Sequence, residues 1–327
     1  MSPRVDVIIP CHNCGGFLEQ TLASIDGQHG DFEVAEIVIV NDRSSDMPTI
    51  ELLARLSEDG RIRVIENQGP KGAAAARNTG LRATKADWII FLDGDDLLTP
   101  GSIQQRIAVL DSHPDIGWIG GDITLINAEG EPEAESFFRS RPRPREALQQ
   151  AWVREETVIY RRPVEMFIEV CVSGIGASLV RRDLLERVGG FREHLWQAED
   201  YQLWIRLARI ADFAFLPHTV LLYRQHGSNT MATDIPPRLW TIRAFEQLLK
   251  DPLFTPFRLL LKGRIAQFHI ENGWYFRGKH SPAQAALSYA RSFLVLPSTR
   301  SLRSLTALAV RPTTPRHSDL GDRDPSR

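Results

Sequence analysis

The first hundred residues alternate between short apolar runs and segments of helical periodicity, and this alternation limits the possible folds more than any other feature. Apolar runs over residues 5–9, 35–40, 62–65 and 88–92 predict four strands, and the segments between them predict three helices. Strands that alternate with helices form parallel pairs with right-handed crossovers. The sequence therefore predicts an α/β fold with a mostly parallel sheet between helices.

Acidic residues end the fourth apolar run. Residues 88–92 are apolar on both faces of a strand, which indicates a buried strand, and Asp93, Asp95 and Asp96 follow it. Such residues lie at the carboxyl edge of the sheet, where open α/β sheets bind ligands. Neighbouring carboxylates repel one another, and Mg²⁺ or Mn²⁺ commonly binds one or two of them together with substrate phosphates. Taken alone, the stretch fits either a metal site or a solvated turn.

Polar loops follow the other three strands at the same edge. They cover residues 11–16, 41–46 and 67–72. Polar loops at this edge are what a nucleotide site requires. The third loop lacks the pattern G-x-x-x-x-G-K-[ST], and no G-x-G-x-x-G follows the first strand, so neither a P-loop nor a dinucleotide fold is indicated.

Composition limits the class of protein. The 327 residues are 43% hydrophobic and 24% charged, which is typical of a globular protein with a substantial core. The formal net charge of −2 gives no overall attraction to nucleic acid. Three cysteines are too few for a disulfide framework, and we interpret Cys11 and Cys14 as incidental thiols. With no leader sequence and no apolar run of about 20 residues, the expected location is the cytoplasm.

The next part of the chain alternates less regularly. Residues 102–110 are predicted to form a helix and residues 116–126 a strand, whereas residues 127–165 are polar. Four arginines lie among prolines in this polar segment: Arg139, Arg141, Arg143 and Arg145. The segment is predicted to be a solvated loop, with a phosphate-binding patch as the alternative.

Two helices and a strand are predicted between residues 181 and 223. Residues 181–188 have helical periodicity, and Glu199 and Asp200 begin an amphipathic helix over residues 201–210. Negative side chains are favoured at a helix N-terminus. The last predicted strand covers residues 220–223.

From residue 236 onward the pattern is helical only, and the chain becomes strongly basic. Only Glu271 is acidic between residues 258 and 311. The same stretch contains nine basic residues: Arg258, Lys262, Arg264, Arg277, Lys279, Arg291, Arg300, Arg303 and Arg311. This composition fits helices that rest on an anionic membrane surface, and equally a helical pair that caps the catalytic domain. Residues 312–327 lack apolar content and are expected to be disordered.

The motifs of this chain, and the order in which they occur, resemble those of glycosyltransferase family 2. That family comprises inverting nucleotide-sugar transferases of the GT-A fold. The matching segments are Ile8 to Asn13, Val40 to Asp46, Ala76 to Gly80, Asp93 to Asp95, Gly189 to Phe191, Glu199 with Asp200, and Tyr223 to His226. The resemblance covers about residues 4–230. Several motifs in the right order are far more specific than any one of them.

The resemblance implies a GT-A catalytic domain over residues 1–235, with a donor-binding half to about residue 126 and an acceptor half from about residue 127. The helical extension would then cover residues 236–311. The implied substrates are a nucleotide-sugar donor, by family habit a UDP-sugar, and a sugar, glycolipid or lipid-linked acceptor, as in bacterial cell-surface polysaccharide assembly. The implied cofactor is Mn²⁺ or Mg²⁺.

The resemblance also assigns donor-side roles to individual residues. Pro10 and Asn13 would lie at the edge of the nucleotide pocket, and Asp42 would contact the uracil or ribose. Arg77 would lie near the base and diphosphate, and Asp93 near the ribose and the metal.

Further roles follow for the metal and the acceptor. Asp95 would be the direct metal ligand, and His226 a further metal or diphosphate contact. Asp200 would be the catalytic base, while Glu199 and Trp196 would lie on the acceptor side.

The chemistry of direct displacement requires such groups independently of the family. The leaving diphosphate needs its charge neutralised, and a base must take the proton of the acceptor hydroxyl on the opposite face. A sugar-1-phosphate nucleotidyltransferase would carry a Gly-rich, basic loop after the first strand, where this chain has Pro10 to Asn13. A non-catalytic sugar-nucleotide binding or scaffold protein is the second alternative, although Asp93, Asp95 and Asp200 are all present.

Overall fold

The protein forms two compact units, which divide between His226 and Gly227 in the computed structural model. The structure describes residues 2–134, 136–227 and 235–306. The first unit is an α/β sheet flanked by helices, and the described part of the second unit is helical.

Strands and helices alternate through the first hundred residues as predicted. Their bounds are β1 Arg4–Cys11, α1 Gly15–Asp26, β2 Glu33–Asn41, α2 Met47–Leu56, β3 Ile62–Glu66, α3 Ala73–Ala83 and β4 Trp88–Phe91. β1 pairs in parallel with both β2 and β4, and β2 pairs in parallel with β3. The resulting order β3-β2-β1-β4 makes the carboxyl ends of β1 and β4 a topological switch point, where open α/β sheets bind ligands.

The rest of the first unit extends this sheet with shorter elements. They are β5 Leu97–Leu98, α4 Ser102–Ile107, α5 Val109–Ser112, β6 Trp118–Ile126, β7 Pro132–Ala134, α6 Pro142–Ala147, α7 Gln149–Arg154, β8 Val158–Tyr160, α8 Val164–Glu169, β9 Ser178–Arg181, α9 Arg182–Val188, α10 Glu199–Ala208 and β10 Phe213–Arg224. Among the described residues the strand order is β3-β2-β1-β4-β9-β6-β10-β5, with β7 on β6 and β8 on β10. β9 runs antiparallel between β4 and β6, so the sheet is parallel through its first four strands and mixed beyond them.

The prediction of a solvated loop over residues 127–165 was wrong. That segment contains two strands, two short helices and the first residues of a third, because a few apolar side chains anchor it. Leu148 and Ala151 are fully buried, and the ring of Trp152 meets the ring of Phe215 edge-on, with centroids 5.2 Å apart. The predicted helix over 102–110 is also divided, into α4 and α5.

Cys11 and Cys14 form a disulfide, which corrects their interpretation as incidental thiols. Cys11 ends β1 and Cys14 precedes α1, and this turn brings their Cα atoms to 5.9 Å, within the range that a disulfide needs. The sulfur of Cys14 packs beside Gly94, 3.0 Å from the point that a Cβ there would occupy. The bridge therefore lies directly against the turn that carries Asp93 and Asp95.

The described part of the second unit consists of helices packed on one another. They are α11 Leu239–Lys250, a 3-10 helix Pro252–Phe257, α12 Arg258–Gly278, α13 Pro282–Val295 and α14 Thr299–Thr306. The fully buried ring of Tyr289 lies against Gly273, and Ile270 and Ala285 complete a small core on which Leu305 packs. No helix in the described parts of the chain is long and apolar enough to cross a membrane. The predicted disordered tail lies outside the described residues.

A glycine lets α3 lie directly on the first two strands. A Cβ on Gly80 would stand 2.3 Å from Cγ2 of Ile8 and 3.2 Å from Cγ2 of Val40. We expect Gly80→Ala to lower the free energy of unfolding by about 1–3 kcal/mol, because the helix must move away from the sheet. Urea unfolding of the purified protein measures this change.

The matched control is Gly16→Ala in α1, where an added Cβ would meet no atom within 4 Å. This substitution should leave stability unchanged or raise it by about 0.5–1 kcal/mol, since alanine is the better helix former. Equal unfolding midpoints for the two variants would contradict the close contact at Gly80.

Candidate active site

The residues predicted to act together gather at the switch point of the sheet. Asp93 follows β4, Arg77 lies on α3, and Glu199 and Asp200 open α10. Three of them are joined directly through Arg77, and Asp200 lies within electrostatic reach of its guanidinium.

Arg77 forms a buried bridge between the turn after β4 and the start of α10. Its Nη1 donates to Oε1 of Glu199 and its Nη2 donates to Oδ1 of Asp93, each at 2.7 Å. The guanidinium also lies over the ring of Phe191, 5.5 Å from the centroid. Burial lowers the pKa of Arg77, but the Asp93 and Glu199 carboxylates outweigh that effect and raise it above its usual range. Arg77 therefore stays charged and holds both carboxylates in place.

The acid pair at the start of α10 is largely removed from solvent. Burial, followed by the repulsion of Asp200, raises the pKa of Glu199 to about 7, although the Arg77 guanidinium acts in the opposite direction. Burial also raises the pKa of Asp200, whose Oδ1 accepts a hydrogen bond from the backbone N–H of Tyr201 at 2.6 Å. Ala198, directly before the pair, has the left-handed φ of 60°. A non-glycine residue rarely adopts this conformation, and here it sets the direction in which the helix begins.

Asp95 and His226 form a second cluster beside the first. Nε2 of His226 lies 2.9 Å from Oδ2 of Asp95, and the imidazole packs on the ring of Phe17 at a centroid distance of 4.8 Å. Burial and the nearby Asp93 raise the pKa of Asp95, whereas the hydrogen bond with His226 lowers it. The structure thus brings together the two residues predicted as metal ligands, which are far apart in sequence.

Arg224 fixes the turn that carries these carboxylates, a role that sequence reasoning missed. Its side chain is fully buried, and its Nε donates to the backbone carbonyl of Asp95 at 2.9 Å, while its backbone N–H donates to Oδ1 of Asp96. The other end of the guanidinium donates to the carbonyl of Ala128 and to Oε1 of Gln20. The sequence did contain one indication of this role, because Arg224 lies in the segment Tyr223 to His226, which matches a motif of the family.

Negative charge is crowded at this turn. Burial and the carboxylates of Asp95 and Asp93 raise the pKa of Asp96 well above its usual range. Its buried Oδ2 has no hydrogen-bond partner among the described residues. No group of three or more His, Cys, Asp or Glu side chains in the described parts of the chain stands ready to hold a metal ion. A site of one or two protein ligands completed by substrate phosphates does not need such a group, and its oxygen donors suit Mg²⁺ or Mn²⁺.

The predicted nucleotide contacts lie on the loops after β1 and β2. Oδ1 of Asp42 accepts a hydrogen bond from the amide of Asn67 at 2.6 Å, and its Oδ2 accepts one from the backbone N–H of Gly72 at 2.7 Å. Asn13, with a left-handed φ of 55°, accepts a bond from the N–H of Ser45. These bonds tie the polar loops at the sheet edge to one another.

Pro10 and Trp196 lie at the margins of this arrangement. Pro10 pairs with Val40 near the end of β1, one strand away from β4. The ring of Trp196 is 45% exposed and lies 3.6 Å from the point that a Cβ on Gly72 would occupy. Trp196 thus connects the segment before α10 with the loop of residues 67–72, and it presents an aromatic surface to solvent.

Comparison with known proteins identifies the family. Residues 6–188 match the sequence profile of Glycosyl transferase family 2. An uncharacterized glycosyltransferase of Haemophilus influenzae is 24% identical over 237 residues, which are 70% of this chain and 67% of that relative. One of Rickettsia typhi is 24% identical over 285 residues, 84% of this chain and 80% of that relative.

The fold is also found among solved structures. The crystal structure of S. aureus TarS 1–349 in complex with UDP-GlcNAc superposes with a TM-score of 0.60 at 18% sequence identity, covering 90% of this chain and 82% of that one. The predicted fold class, a sheet flanked by helices with a helical C-terminal region, is confirmed.

The raised pKa of Glu199 predicts a pH-dependent stability. Between about pH 4.5, where an ordinary glutamic acid titrates, and about pH 7, the folded protein keeps a proton that the unfolded chain releases. Stability therefore falls as the pH rises through this window. Glu199→Gln lacks this titration. As the pH rises from about 4.5 to about 7, we therefore expect the stability of the variant to increase relative to that of the wild type, as measured by thermal unfolding at several pH values.

Glu51→Gln, which replaces an exposed glutamate of α2, is the control and should follow the wild type at every pH. The readout is the slope of stability against pH, because losing the Arg77 bond also shifts the Glu199→Gln curve by a constant amount. Parallel curves for Glu199→Gln and the wild type would show that Glu199 titrates normally in the folded protein.

Proposed function

The chain belongs to glycosyl transferase family 2, and we propose that this glycosyltransferase moves a single sugar from a nucleoside diphosphate donor to an acceptor hydroxyl, with inversion at the anomeric carbon. The observation that carries the proposal is the Arg77 bridge, which joins Asp93, the proposed donor-side carboxylate, to Glu199 of the acid pair. The same bridge would coordinate the binding of the donor with that of the acceptor.

The proposed donor is a UDP-sugar. Support comes from the fold shared with TarS, whose crystal structure contains UDP-GlcNAc. Asp42 is the proposed contact to the uracil or ribose, since its carboxylate is already oriented by Asn67 and Gly72. Pro10 and Asn13 would then form the edge of the pocket on the β1 side.

Members of this family generally use a divalent metal ion, and the residues at the end of β4 fit one. We propose that Asp95 and His226 hold Mn²⁺ or Mg²⁺, with Asp93 beside them, because carboxylate charge is crowded there and a cation would relieve it. The bound ion would supply positive charge to the leaving diphosphate. The remaining ligands would be oxygens of the donor and water.

Asp200 is the proposed catalytic base. Its raised pKa makes it a stronger base than an ordinary aspartate, while the Arg77 guanidinium, which lowers that pKa, keeps it ionised enough to accept the proton of the acceptor hydroxyl. Glu199 has one oxygen bound to Arg77, so its proposed role is to orient the pair. Trp196, exposed near Gly72, is proposed to contact the acceptor.

The basic second unit favours an acceptor at a membrane. We propose a lipid-linked sugar or glycolipid of cell-surface polysaccharide assembly, reached from the cytoplasmic face of the plasma membrane. The support is the excess of basic over acidic residues between residues 258 and 306, where only Glu271 is acidic.

Thermal shift of the purified protein tests the donor and the metal together. UDP with Mn²⁺ should raise the unfolding temperature, because a ligand that binds only the folded state stabilises it. GDP, dTDP and CDP should raise it less, and EDTA should abolish most of the effect. Asp95→Ala should lose the metal-dependent part of the shift.

Asp111→Ala, which removes an exposed acid of α5, is the matched control and should behave as the wild type. A shift of equal size in Asp95→Ala would refute the metal assignment. Absence of a shift with every nucleotide would contradict donor binding and favour a protein that no longer handles sugar nucleotides.

Asp200→Asn separates binding from catalysis. The variant should keep the thermal shift with UDP and Mn²⁺, yet release UDP from the preferred UDP-sugar at least about 100-fold more slowly, since it lacks the base. Release of UDP in the absence of acceptor is the measurement, with a panel of UDP-sugars. Wild-type rates in Asp200→Asn would exclude Asp200 as the base, and no release by the wild type would favour the scaffold alternative.

A further inference from the structure

The solvent side of α13 carries an apolar stripe that no described residue covers. Ala283, Leu287, Ala290 and Leu294 follow one another at intervals of four, three and four residues, which places them on one side of the helix. Leu287 is 52% exposed and Leu294 is 80% exposed. At a rise of about 1.5 Å per residue, the stripe extends along about 16 Å of the helix.

The opposite side of α13 already supplies the packing that the unit needs. Ala285, Ser288, Tyr289 and Ser292 are buried there, with the ring of Tyr289 against Gly273 of α12. A helix that is anchored by one face ordinarily presents polar residues on the other. In α13 the outward face is apolar instead, so packing within the unit does not explain the leucines.

Exposed arginines lie on α13 and on the neighbouring α14. Arg291 is exposed on the same side of α13, between the two leucines in sequence, and α13 itself contains no acidic residue. Arg300 and Arg303 of the neighbouring α14 are also exposed, and the Arg300 guanidinium lies 5.5 Å from the ring centroid of the half-exposed Trp274. Exposed leucine, tryptophan and arginine together are typical of a helix that lies in a membrane interface.

We propose that this face of α13 docks on an anionic membrane surface, with Leu287 and Leu294 entering the interface and the arginines pairing with lipid phosphates. Charge distinguishes this occupant from a second copy of the chain, because two such faces would bring like charges together, whereas anionic lipid complements them. This surface would bring the enzyme to a lipid-linked acceptor. Only the role of the acceptor rests on the proposed function, and the membrane contact itself does not.

Vesicle co-sedimentation of the full chain tests the surface without measuring activity. The protein should bind vesicles of equimolar phosphatidylcholine and phosphatidylglycerol at low salt, and bind vesicles of phosphatidylcholine alone much less. The double variant Leu287→Gln/Leu294→Gln should partition at least about tenfold more weakly, since two leucine side chains no longer enter the membrane interface. Arg291→Gln should lower binding to the anionic vesicles about fivefold.

Leu253→Gln is the matched control, because Leu253 is 55% exposed in the same unit but lies in the 3-10 helix, off the stripe. It should bind vesicles as the wild type does, and all variants should keep the wild-type unfolding temperature. Equal binding by the double variant and the wild type would overturn the proposal. So would a lipid-free dimer that the double variant loses, which would assign the stripe to a second copy. UDP-dependent thermal shift in the same samples reports separately on the donor site.

Discussion

A buried charged side chain within the candidate site, Arg77, imposes the constraint on which the rest of the structure depends. The guanidinium of Arg77 is buried, and its charge is compensated by two carboxylates from separate elements, Asp93 after β4 and Glu199 at the start of α10. Removing one partner of such a buried pair ordinarily costs about 3–5 kcal/mol, because the other charge is left uncompensated. The end of β4 and the start of α10 are therefore held in register by electrostatics as well as by packing, and Asp200 is positioned as a consequence.

Crowded carboxylates lower the stability of the neighbouring turn, which carries Asp95 and Asp96. Burial and mutual repulsion raise the pKa values of Asp95 and Asp96, so this turn is less stable than the same backbone with neutral side chains would be. Arg224 offsets part of that cost by binding the backbone of the turn, and the disulfide from Cys11 to Cys14 packs against its glycine. The fold thus supports a concentration of negative charge that an ordinary loop would relax.

Much of the first unit could be predicted from sequence because its strands are buried on both faces and its helices are periodic. The three helices occur between the first four strands as predicted, and the predicted bounds of those strands agree with the structure within about two residues. Segments with few apolar anchors could not be predicted in this way: residues 127–165 are polar by composition, yet the fully buried Leu148 and Ala151 anchor them. The motifs predicted which side chains belong to the candidate site. The contact from Arg77 to Glu199, however, joins residues 122 positions apart, and no local sequence pattern predicts it.

The close contact between Gly80 and Ile8 bears on how such a site could be transplanted. Because α3 carries Arg77 and rests on β1 without an intervening side chain, the height of the helix above the sheet fixes how far the guanidinium reaches. Loops at the sheet edge could be exchanged to change the donor, provided that this helix and strand move together as one piece. A recipient scaffold with alanine at the crossing point would hold the arginine too far from its carboxylates, even with Arg77, Asp93 and Glu199 all copied.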